Sequence, residues 1–537
     1  MQNWPTSKHK SFQLKIKDAF MKRVIFILFM SAFAAHSESF SEYCQYNNGE
    51  QDCSVEFVRA LQDIAGTGRP LLFEANNTYR LDSVDTSQMN LSGIKLQGIA
   101  NQASKPVILT DRLYLTNISD LAINNLQISG IHNDIGDVQQ DSALVLLGAK
   151  KDSPEALNIT VQNMHFENAA DTLLIVWNTK NLNISNNVFK RAGLAMRIDE
   201  TPSDPDDERP RGNAAVFSGI TGATITFNEI YEIKKTGLFF GGVNRNVYIL
   251  NNYIDLLNYE KPTKRYGLKG GAGIYIGNSP TFYNMLIQGN RIINYRMNAV
   301  RMNGDGVIVK KNYFNVLGDC ADTSIDSGVG DADTGIAVKA HYLTNSEISE
   351  NCFQNTYTGV ALESWDTIKN VKISKNLMNG ISSGVFVTYK YGGSYSDISI
   401  VRNTFYDALE WGIAFFSESP SFGNSIVSNT FVNNDGAQQK PLISLRRQSG
   451  FYFDNNWIMA KARSQNWNFV TLREVSNSVF QNSVFKSYDG TDRSFGGFTI
   501  YDKKSTNNFF KNISFDGLYP GYIDNGTENK FIDITYQ

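Results

Sequence analysis

The sequence predicts an all-β solenoid, a parallel β-helix in which each coil of the chain forms short strands joined by turns. Three observations predict this fold: an asparagine that recurs at short steps, glycine-led segments with alternating apolar residues, and no helix-period stripe in the repeats. A repeat array can grow without dividing into globular domains, because each coil packs only on its neighbours. We therefore predict one β-helix domain over residues 70–515, after a cap at 36–69 and before a C-terminal tail or cap at 516–537.

The recurrent asparagine sets the length of one coil. It precedes aromatic or aliphatic residues at Asn163, Asn187, Asn228, Asn252, Asn290, Asn312, Asn351, Asn376, Asn403, Asn429, Asn456, Asn482 and Asn512. Most steps between these positions span 22–27 residues, which suits three strands of four to six residues each. Asparagine tolerates left-handed backbone, and its amide can bond the next asparagine, so we expect a ladder of stacked amides.

The segment before the repeats indicates a helix. Apolar residues follow one face of the stretch from Ser54 to Ala65, and Gly66 and the apolar run Pro70–Phe73 come next. This start, the spacing and the asparagine ladder resemble the pectate-lyase-like right-handed parallel β-helix superfamily over about Cys53–Phe515. The resemblance implies right-handed winding, a helical cap over the N-terminal end and a polysaccharide partner. The superfamily holds lyases, hydrolases, epimerases, tailspikes and non-enzymes, so the resemblance does not select a reaction.

The first 35 residues have the features of an extension and a secretory signal. Met21-Lys22-Arg23 precedes the apolar run Val24–Phe33 and the small-residue motif Ala32-Phe33-Ala34. The apolar run is too short to span a bilayer, so we expect no membrane span in the mature chain and a periplasmic or secreted location. The formal net charge of −3 offers no basic surplus for nucleic acid, and the sequence does not define an oligomeric state.

The four cysteines fit an exported protein. Cys44 and Cys53 lie nine residues apart, and we expect them to pair in an oxidising compartment. Cys320 and Cys352 either form a second disulfide, or Cys352 is a small buried apolar residue.

The glycine-led strands predict an outer wall that carries charged and polar side chains. Aligned on their first small residue, the strands starting at Gly193, Gly237, Gly273, Ala299, Gly335, Gly359, Gly384 and Gly412 place every second residue outside. This alignment puts Arg197, Asn303, Lys339 and Glu363 in one outward column. It puts Asp305, His341, Trp365 and Lys390 in another, and Arg301 in a third. A solvated charged face is the alternative interpretation of this cluster.

The cluster favours chemistry on an acidic polysaccharide. In β-elimination or epimerisation of a uronic acid, Lys339 or His341 is the expected base, and Arg301 or Lys390 neutralises the carboxylate. Asn303, Asp305 and Glu363 are oxygen ligands suited to Ca²⁺, and the insert residues Asp331 and Asp333 form a weaker calcium candidate. The expected substrate contacts are Arg197, Asn303, Trp365, Tyr389 and Lys390. Long inserts at 200–212, 259–270 and 318–333 fall just before these strands.

Two other functions stay open from the sequence. Asp305 and Glu363, two coils and roughly 9.6 Å apart, could act as the acid pair of an inverting glycoside hydrolase. A non-catalytic polysaccharide-binding protein is the other alternative, because the chain lacks the Asp-Pro-His-Asp motif of alginate epimerases and the Asn-Thr-Asp and Gly-His-Gly motifs of polygalacturonases.

Overall fold

A computed structural model describes most of the chain from residue 37 to its C-terminus. The described ranges are 37–99, 104–131, 143–150, 153–193, 212–256, 272–277, 282–295, 297–316, 320, 335–389, 392–433, 440–460, 468–487, 497–518 and 521–537. Residues 1–35, which carry the predicted extension and signal, lie outside them.

The described residues form short strands, one α-helix and one 3₁₀ turn, Phe40–Glu42. The helix α1 is Ser54–Ile64. The strands begin with β1 Glu38–Ser39, β2 Asn48–Asp52, β3 Pro70–Phe73, β4 Thr78–Asp85, β5 Lys95–Gly98, β6 Val107–Thr116, β7 Ala122–Asn124, β8 Gln127–Gly130, β9 Ala143–Gly148, β10 Ala156–Gln162, β11 His165–Ala169, β12 Thr172–Ser185, β13 Val188–Ala192, β14 Ala215–Thr226 and β15 Glu229–Ile233. They continue with β16 Leu238–Gly241, β17 Asn244–Leu250, β18 Tyr253–Asp255, β19 Ile274–Ile276, β20 Phe282–Gln288, β21 Arg291–Ile293, β22 Asn298–Lys310, β23 Tyr313–Phe314, β24 Ile336–Ser349, β25 Cys352–Gln354, β26 Thr358–Ser364, β27 Thr367–Ser374, β28 Leu377–Asn379 and β29 Ser383–Tyr389. The last are β30 Ser394–Val401, β31 Thr404–Tyr406, β32 Ile413–Phe422, β33 Ser425–Val427, β34 Thr430–Asn433, β35 Ile443–Ser449, β36 Tyr452–Asp454, β37 Trp457–Ala460, β38 Val470–Arg473, β39 Val479–Ser487, β40 Phe498–Ile500, β41 Phe509–Asp516, β42 Tyr522–Asp524 and β43 Lys530–Tyr536.

The strands stack coil upon coil into three parallel sheets. Sheet 1 contains β9, β16, β19, β26, β29, β35, β38, β40 and β42, with the first residues of β12, β14, β22, β24 and β32. Sheet 2 contains β3, β5, β7, β10, β17, β20, β27, β30, β33 and β36, with the last residues of β12, β14, β22 and β24. Sheet 3 contains β8, β11, β13, β15, β18, β21, β23, β25, β28, β31, β34 and β37. The chain is therefore a parallel β-helix, and β42 and β43 extend its sheets beyond Phe515.

The core is a column of stacked apolar side chains inside the three sheets. Adjacent parallel strands lie about 4.8 Å apart, so like residues at one register position come into contact. The rings of Phe166 and Phe189 are 5.0 Å apart, and those of Phe405 and Phe431 are 4.6 Å apart. This repetition lets one continuous core fill the solenoid.

The helix forms at the N-terminal end of the core. It buries Phe57, Ala60, Leu61 and Ile64. The sequence predicted a face of Val55, Val58, Leu61 and Ile64, but Val55 is 78% exposed, so the buried face is centred closer to Phe57. Phe57 packs edge-on against Phe40 at 5.7 Å between ring centroids. Cys53, at the start of the helix, is disulfide-bonded to Cys44, the pairing that the sequence predicts. Closure of the solenoid end by this helix and right-handed winding stay predictions.

A ladder of buried asparagines runs along the corner between sheets 2 and 3. It consists of Asn187, Asn228, Asn252, Asn290, Asn312, Asn351, Asn376, Asn403, Asn429 and Asn456. In each rung the side-chain amide and the backbone N–H both donate to the Oδ1 of the next asparagine; for Asn290 and Asn312 the distances are 3.0 and 2.9 Å. The predicted amide ladder is confirmed for these ten residues.

Three of the predicted positions lie outside this ladder. Asn163, Asn482 and Asn512 have positive φ and belong to the exposed position one residue earlier in the turn. Within the ladder, that earlier position holds the left-handed residue, such as Asn186 or Lys311. The turn thus uses asparagine for two different reasons: left-handed backbone at one residue and buried amide bonding at the next.

We expect Asn312→Ala to lower the free energy of unfolding by roughly 2–4 kcal/mol, because it leaves the buried N–H and Nδ2 of Asn290 without their acceptor. Urea denaturation followed by circular dichroism measures the change. The matched control is Asn90→Ala, at an exposed position outside the ladder. Equal effects of the two substitutions would contradict a stabilising role for the ladder.

Candidate functional site

The outer face of sheet 1 carries two neighbouring columns of side chains. The first column runs through Tyr275, Arg301, Lys339, Ala361 and Phe386, each paired with the next coil. The second column runs from Glu363 through Thr388 and Phe416 to Arg446. Arg301 and Lys339 are therefore direct neighbours.

The register of one coil differs from the sequence prediction by two residues. Ala337, not Gly335, lies beside Gly359, because Ile336 pairs with Thr358. This position needs a small residue: a Cβ on Gly359 would come within 2.8 Å of the carbonyl oxygen of Gly384. The alignment on Gly335 was wrong because this coil and the one before it carry alanine at the position, Ala337 and Ala299, in place of glycine. Lys339 consequently lies in the Arg301 column. His341, two residues later, lies beside Glu363 of the next coil.

Lys339 and Glu363 form an ion pair across the two columns. The Nζ of Lys339 lies 3.1 Å from Oε2 of Glu363, and the two side chains are only 19% and 11% exposed. The guanidinium of Arg301 lies over the ring of Tyr275 at 4.7 Å, and Tyr275 stacks on Phe239 at 5.1 Å. The wall therefore presents two cations in adjacent coils, one against an aromatic ring and one against a carboxylate.

His341 is buried beside this ion pair. Its Nδ1 lies 3.0 Å from the carbonyl oxygen of Glu363; since a carbonyl only accepts, Nδ1 carries the proton and the neutral ring has its lone pair on Nε2. Burial, and then the charge of Arg301, lower the pKa of His341 to about 4. The ring packs on Trp365, with 4.1 Å between centroids, and Trp365 is 43% exposed. The site thus places a neutral imidazole in contact with an indole that solvent can reach.

Asn303 is not on the outer wall as the sequence predicted. It is fully buried; its Nδ2 donates to the carbonyl of Gly277, and its Oδ1 accepts from the backbone N–H groups of His341 and Tyr342 at 3.0 Å each. Its amide holds the turn that carries His341. Asn303 is therefore a positioning residue and not a substrate contact.

Asp305 is separated from the charged cluster. The pairing of β22 with β24 shifts register between Met302 and Gly304, and the chain then enters sheet 2. There the carboxylate of Asp305 accepts from Oγ1 of Thr344 and Nδ2 of Asn345, both at 2.7 Å. The predicted sets Asp305–Glu363 and Asn303–Asp305–Glu363 are therefore not assembled, either as a catalytic acid pair or as a calcium site.

The remaining predicted residues fall near the wall or outside the described ranges. Tyr389 follows Thr388 in β29, and its hydrogen bond to Glu418 raises the pKa of the phenol. Arg197, Lys390, Asp331 and Asp333 lie outside the described residues. So do the long inserts, apart from Gly212 and Cys320.

Sequence reasoning missed Arg446 and Arg473, which continue the Glu363 column. The residues that precede their strands are Leu442 and Phe469 and not glycine, so the glycine alignment ended before them. The segments Ile443–Leu445 and Val470–Leu472 show the same apolar alternation as the glycine-led strands. This alternation could have predicted the two strands that carry Arg446 and Arg473.

Cys320 is disulfide-bonded to Cys352, which answers the alternative that the sequence left open. Cys352 pairs with Tyr313 and Leu377 in sheet 3, so the bond fastens a point of the third insert to that sheet. Two disulfides fit an extracytoplasmic location. In the ranges that the structure describes, no helix is long and apolar enough to cross a membrane.

Comparison with known proteins supports the fold class. A family model described as periplasmic copper-binding protein (NosD) matches residues 259–441, the part of the solenoid that carries Lys339, His341 and Glu363. No curated protein matches the chain. The chain is thus a parallel β-helix protein with a NosD-like segment.

Solved structures similar to the chain are distant. The A-module of the mannuronan C-5 epimerase AlgE6 from Azotobacter vinelandii is 10% identical, with 93% of this chain and 99% of that chain covered and a TM-score of 0.24. The tailspike of Escherichia coli bacteriophage HK620, in complex with a pentasaccharide, is 10% identical over 94% and 79%, with a TM-score of 0.38. The Dettilon tailspike is 11% identical over 85% of this chain and 66% of its own length, with a TM-score of 0.33. Likeness at this level carries no information on activity.

The described residues do not fit the copper of the family's description. Copper sites use clustered imidazole, thiolate or thioether ligands. The described histidines, His165 and His341, lie on sheets 3 and 1, and the cysteines are in disulfides. Met302 and Met378 are buried in the core. No group of three His, Cys, Asp or Glu able to hold a metal occurs in the described part of the chain.

We expect Glu363→Gln to lower the free energy of unfolding by about 1–3 kcal/mol, because the substitution removes the carboxylate that faces a largely buried ammonium. Asp516→Asn is the matched control: it breaks the more exposed pair with Lys486 and should cost less than about 1 kcal/mol. Urea denaturation measures both, and the reverse order of effects would argue against a buried Lys339–Glu363 pair.

His341 should also make stability fall with acid. Its pKa lies below the ordinary value of 6.5, so between about pH 6.5 and 4 the unfolded chain takes up a proton that the folded chain does not. The contribution is fully present above pH 6.5 and decreases as the pH falls, by at most about 1.4 kcal/mol per unit. His341→Gln removes it, so the urea midpoint should depend less on pH in the variant. Parallel curves from pH 7 to 4 would show that His341 titrates normally.

Proposed function

We propose that the outer face of sheet 1 binds an acidic, uronate-containing polysaccharide and that the chain is a lyase or an epimerase acting on it. The observation that carries the proposal is the placement of Arg301 and Lys339 in adjacent coils beside the neutral His341 and the exposed ring of Trp365. Two cations suit a carboxylate, and the indole suits the apolar face of a sugar.

Each group has a role in proton abstraction next to a carboxylate. Arg301 and Lys339 neutralise the substrate carboxylate, which stabilises the charge that develops when the C5 proton leaves. Nε2 of His341 takes that proton, while Nδ1 stays bonded to the carbonyl of Glu363. The Glu363 carboxylate holds Lys339 in place.

The two reactions differ after this step. In the lyase reaction the C5–H electrons form a C4–C5 double bond, the C4–O bond breaks, and the leaving oxygen takes a solvent proton. In the epimerase reaction a solvent proton returns to C5 from the opposite face of the ring.

Glycoside hydrolysis is less well supported, since among the described residues Asp305 lies on sheet 2 and does not form the expected acid pair with Glu363. A non-catalytic polysaccharide-binding protein is the second candidate. The low pKa of His341 favours it, because a group with a pKa of about 4 is a weak base.

Calcium and location complete the proposal. Ca²⁺ bound by Asp331 and Asp333, which lie outside the described residues, is the cofactor part of the proposal. The extracytoplasmic compartment is the periplasm or the cell exterior, where exported polysaccharides occur.

The test is incubation of the protein with polygalacturonate, alginate and a neutral glucan. A lyase produces unsaturated sugars that absorb in the near ultraviolet, whereas an epimerase changes only the proton spectrum of the polymer. We expect His341→Ala to lower turnover by at least ~10²-fold. The matched control, His165→Ala on sheet 3, should leave turnover unchanged.

Other outcomes have defined meanings. Loss of turnover with a chelator, restored by Ca²⁺, supports the calcium site. Binding of the acidic polymers without turnover supports the non-catalytic candidate. Failure to bind either acidic polymer, or new reducing ends without absorbance, would refute the proposal.

A further inference from the structure

The second column of sheet 1 continues from Phe416 into two arginines. Arg446 pairs with Phe416 in the preceding coil and with Arg473 in the following coil. Tyr501 comes next, bonded through its backbone N–H to the carbonyl of Leu472, and its side chain is 48% exposed. Two arginine residues thus lie in adjacent coils between two aromatic residues.

Arg446 and Arg473 differ from the neighbouring Arg447 in their ion pairing. Arg447 lies 2.9 Å from Oε2 of Glu474 and donates to the carbonyl of Glu418 at 2.6 Å. Among the described residues, neither Arg446 nor Arg473 forms a direct ion pair, although the charge of Arg446 contributes to the lowered pKa of Glu474. The Nε of Arg446 is buried and has no acceptor there. Like charges on side chains that project from strands about 4.8 Å apart repel, so an anion bound between them would be stabilised.

We propose that Arg446 and Arg473 form a second anion subsite, which binds the carboxylate of a uronic acid residue several sugars away from His341. This inference rests on the proposed function and extends it to the length of the bound polymer. A guanidinium binds a carboxylate through two parallel hydrogen bonds, and the rings of Phe416 and Tyr501 flank the pair for contact with sugar faces.

The distance from Glu363 to the two arginines sets the minimum length of the polymer that can contact both. Arg446 is three coils from Glu363, roughly 14 Å, and Arg473 is four coils away, roughly 19 Å. The coils between them carry Phe386 and Trp411, whose rings stack at 5.7 Å. Since one coil rise is comparable with one pyranose ring, a chain must be longer than about four sugars to contact both cationic ends.

The experiment compares a long and a short uronate probe. Calorimetry measures binding of an oligogalacturonate of twelve residues and of three residues to the wild type and to Arg446→Ala/Arg473→Ala. We expect the double variant to bind the long probe at least ~10-fold more weakly, with a shallower salt dependence, and the short probe equally well. Arg446→Lys/Arg473→Lys, which keeps the charge but loses the guanidinium fork, should fall in between.

The control is Arg245→Ala/Lys511→Ala, which removes the same charge from exposed positions. Arg245 lies on sheet 2, and Lys511 extends that sheet through its pairing with Gln481, which pairs with Asp454. Unfolding curves of all variants verify that they fold. Unchanged binding of the long probe by the double variant, or the same loss in the control, overturns the subsite and leaves the proposed function standing. A wild type that binds neither probe nor any other uronate polymer overturns the proposed function and this inference together.

Discussion

Hydrogen bonding between coils is the constraint on which the rest of the structure depends. It sets a spacing of about 4.8 Å between equivalent residues, so each side chain meets the one that lies a full coil later in the sequence. The core stacks Phe405 on Phe431 for this reason, and the outer wall places Arg301 beside Lys339. The buried asparagines satisfy the backbone at a corner where the sheet ladder is interrupted, so the coils stay in register through the turn.

Inside this lattice, the site depends on unequal burial of its charges. Lys339 and Glu363 face each other with little solvent, while Trp365 beside them remains accessible. His341 stays neutral because its surroundings disfavour a further positive charge. A rigid β-sheet is suited to such an arrangement, since neighbouring strands fix the positions from which the side chains project.

The sequence predicted the solenoid and its asparagine ladder because both repeat many times, so that single exceptions such as Asn163 do not hide the pattern. The site was predicted less completely, because it depends on the register of single coils. Ala337 substitutes for the expected glycine and shifts Lys339 by two residues, and an irregularity after Met302 sends Asp305 into another sheet. Neither event changes the apolar alternation from which the strands were predicted. His341 shifts together with Lys339, and the shift brings it beside Glu363 and Trp365.

The bond between Cys320 and Cys352 has a mechanical consequence. It closes a covalent loop with a sequence separation of 32 residues, and this loop contains the strand that bears Lys339 and His341. A force that pulls the two ends of the chain apart passes through the disulfide and does not extend the loop. About 110 Å of chain therefore cannot be stretched out until the disulfide is reduced. Tension transmitted along a bound polymer or the chain itself would therefore unravel other coils, while the residues around His341 keep their covalent tether.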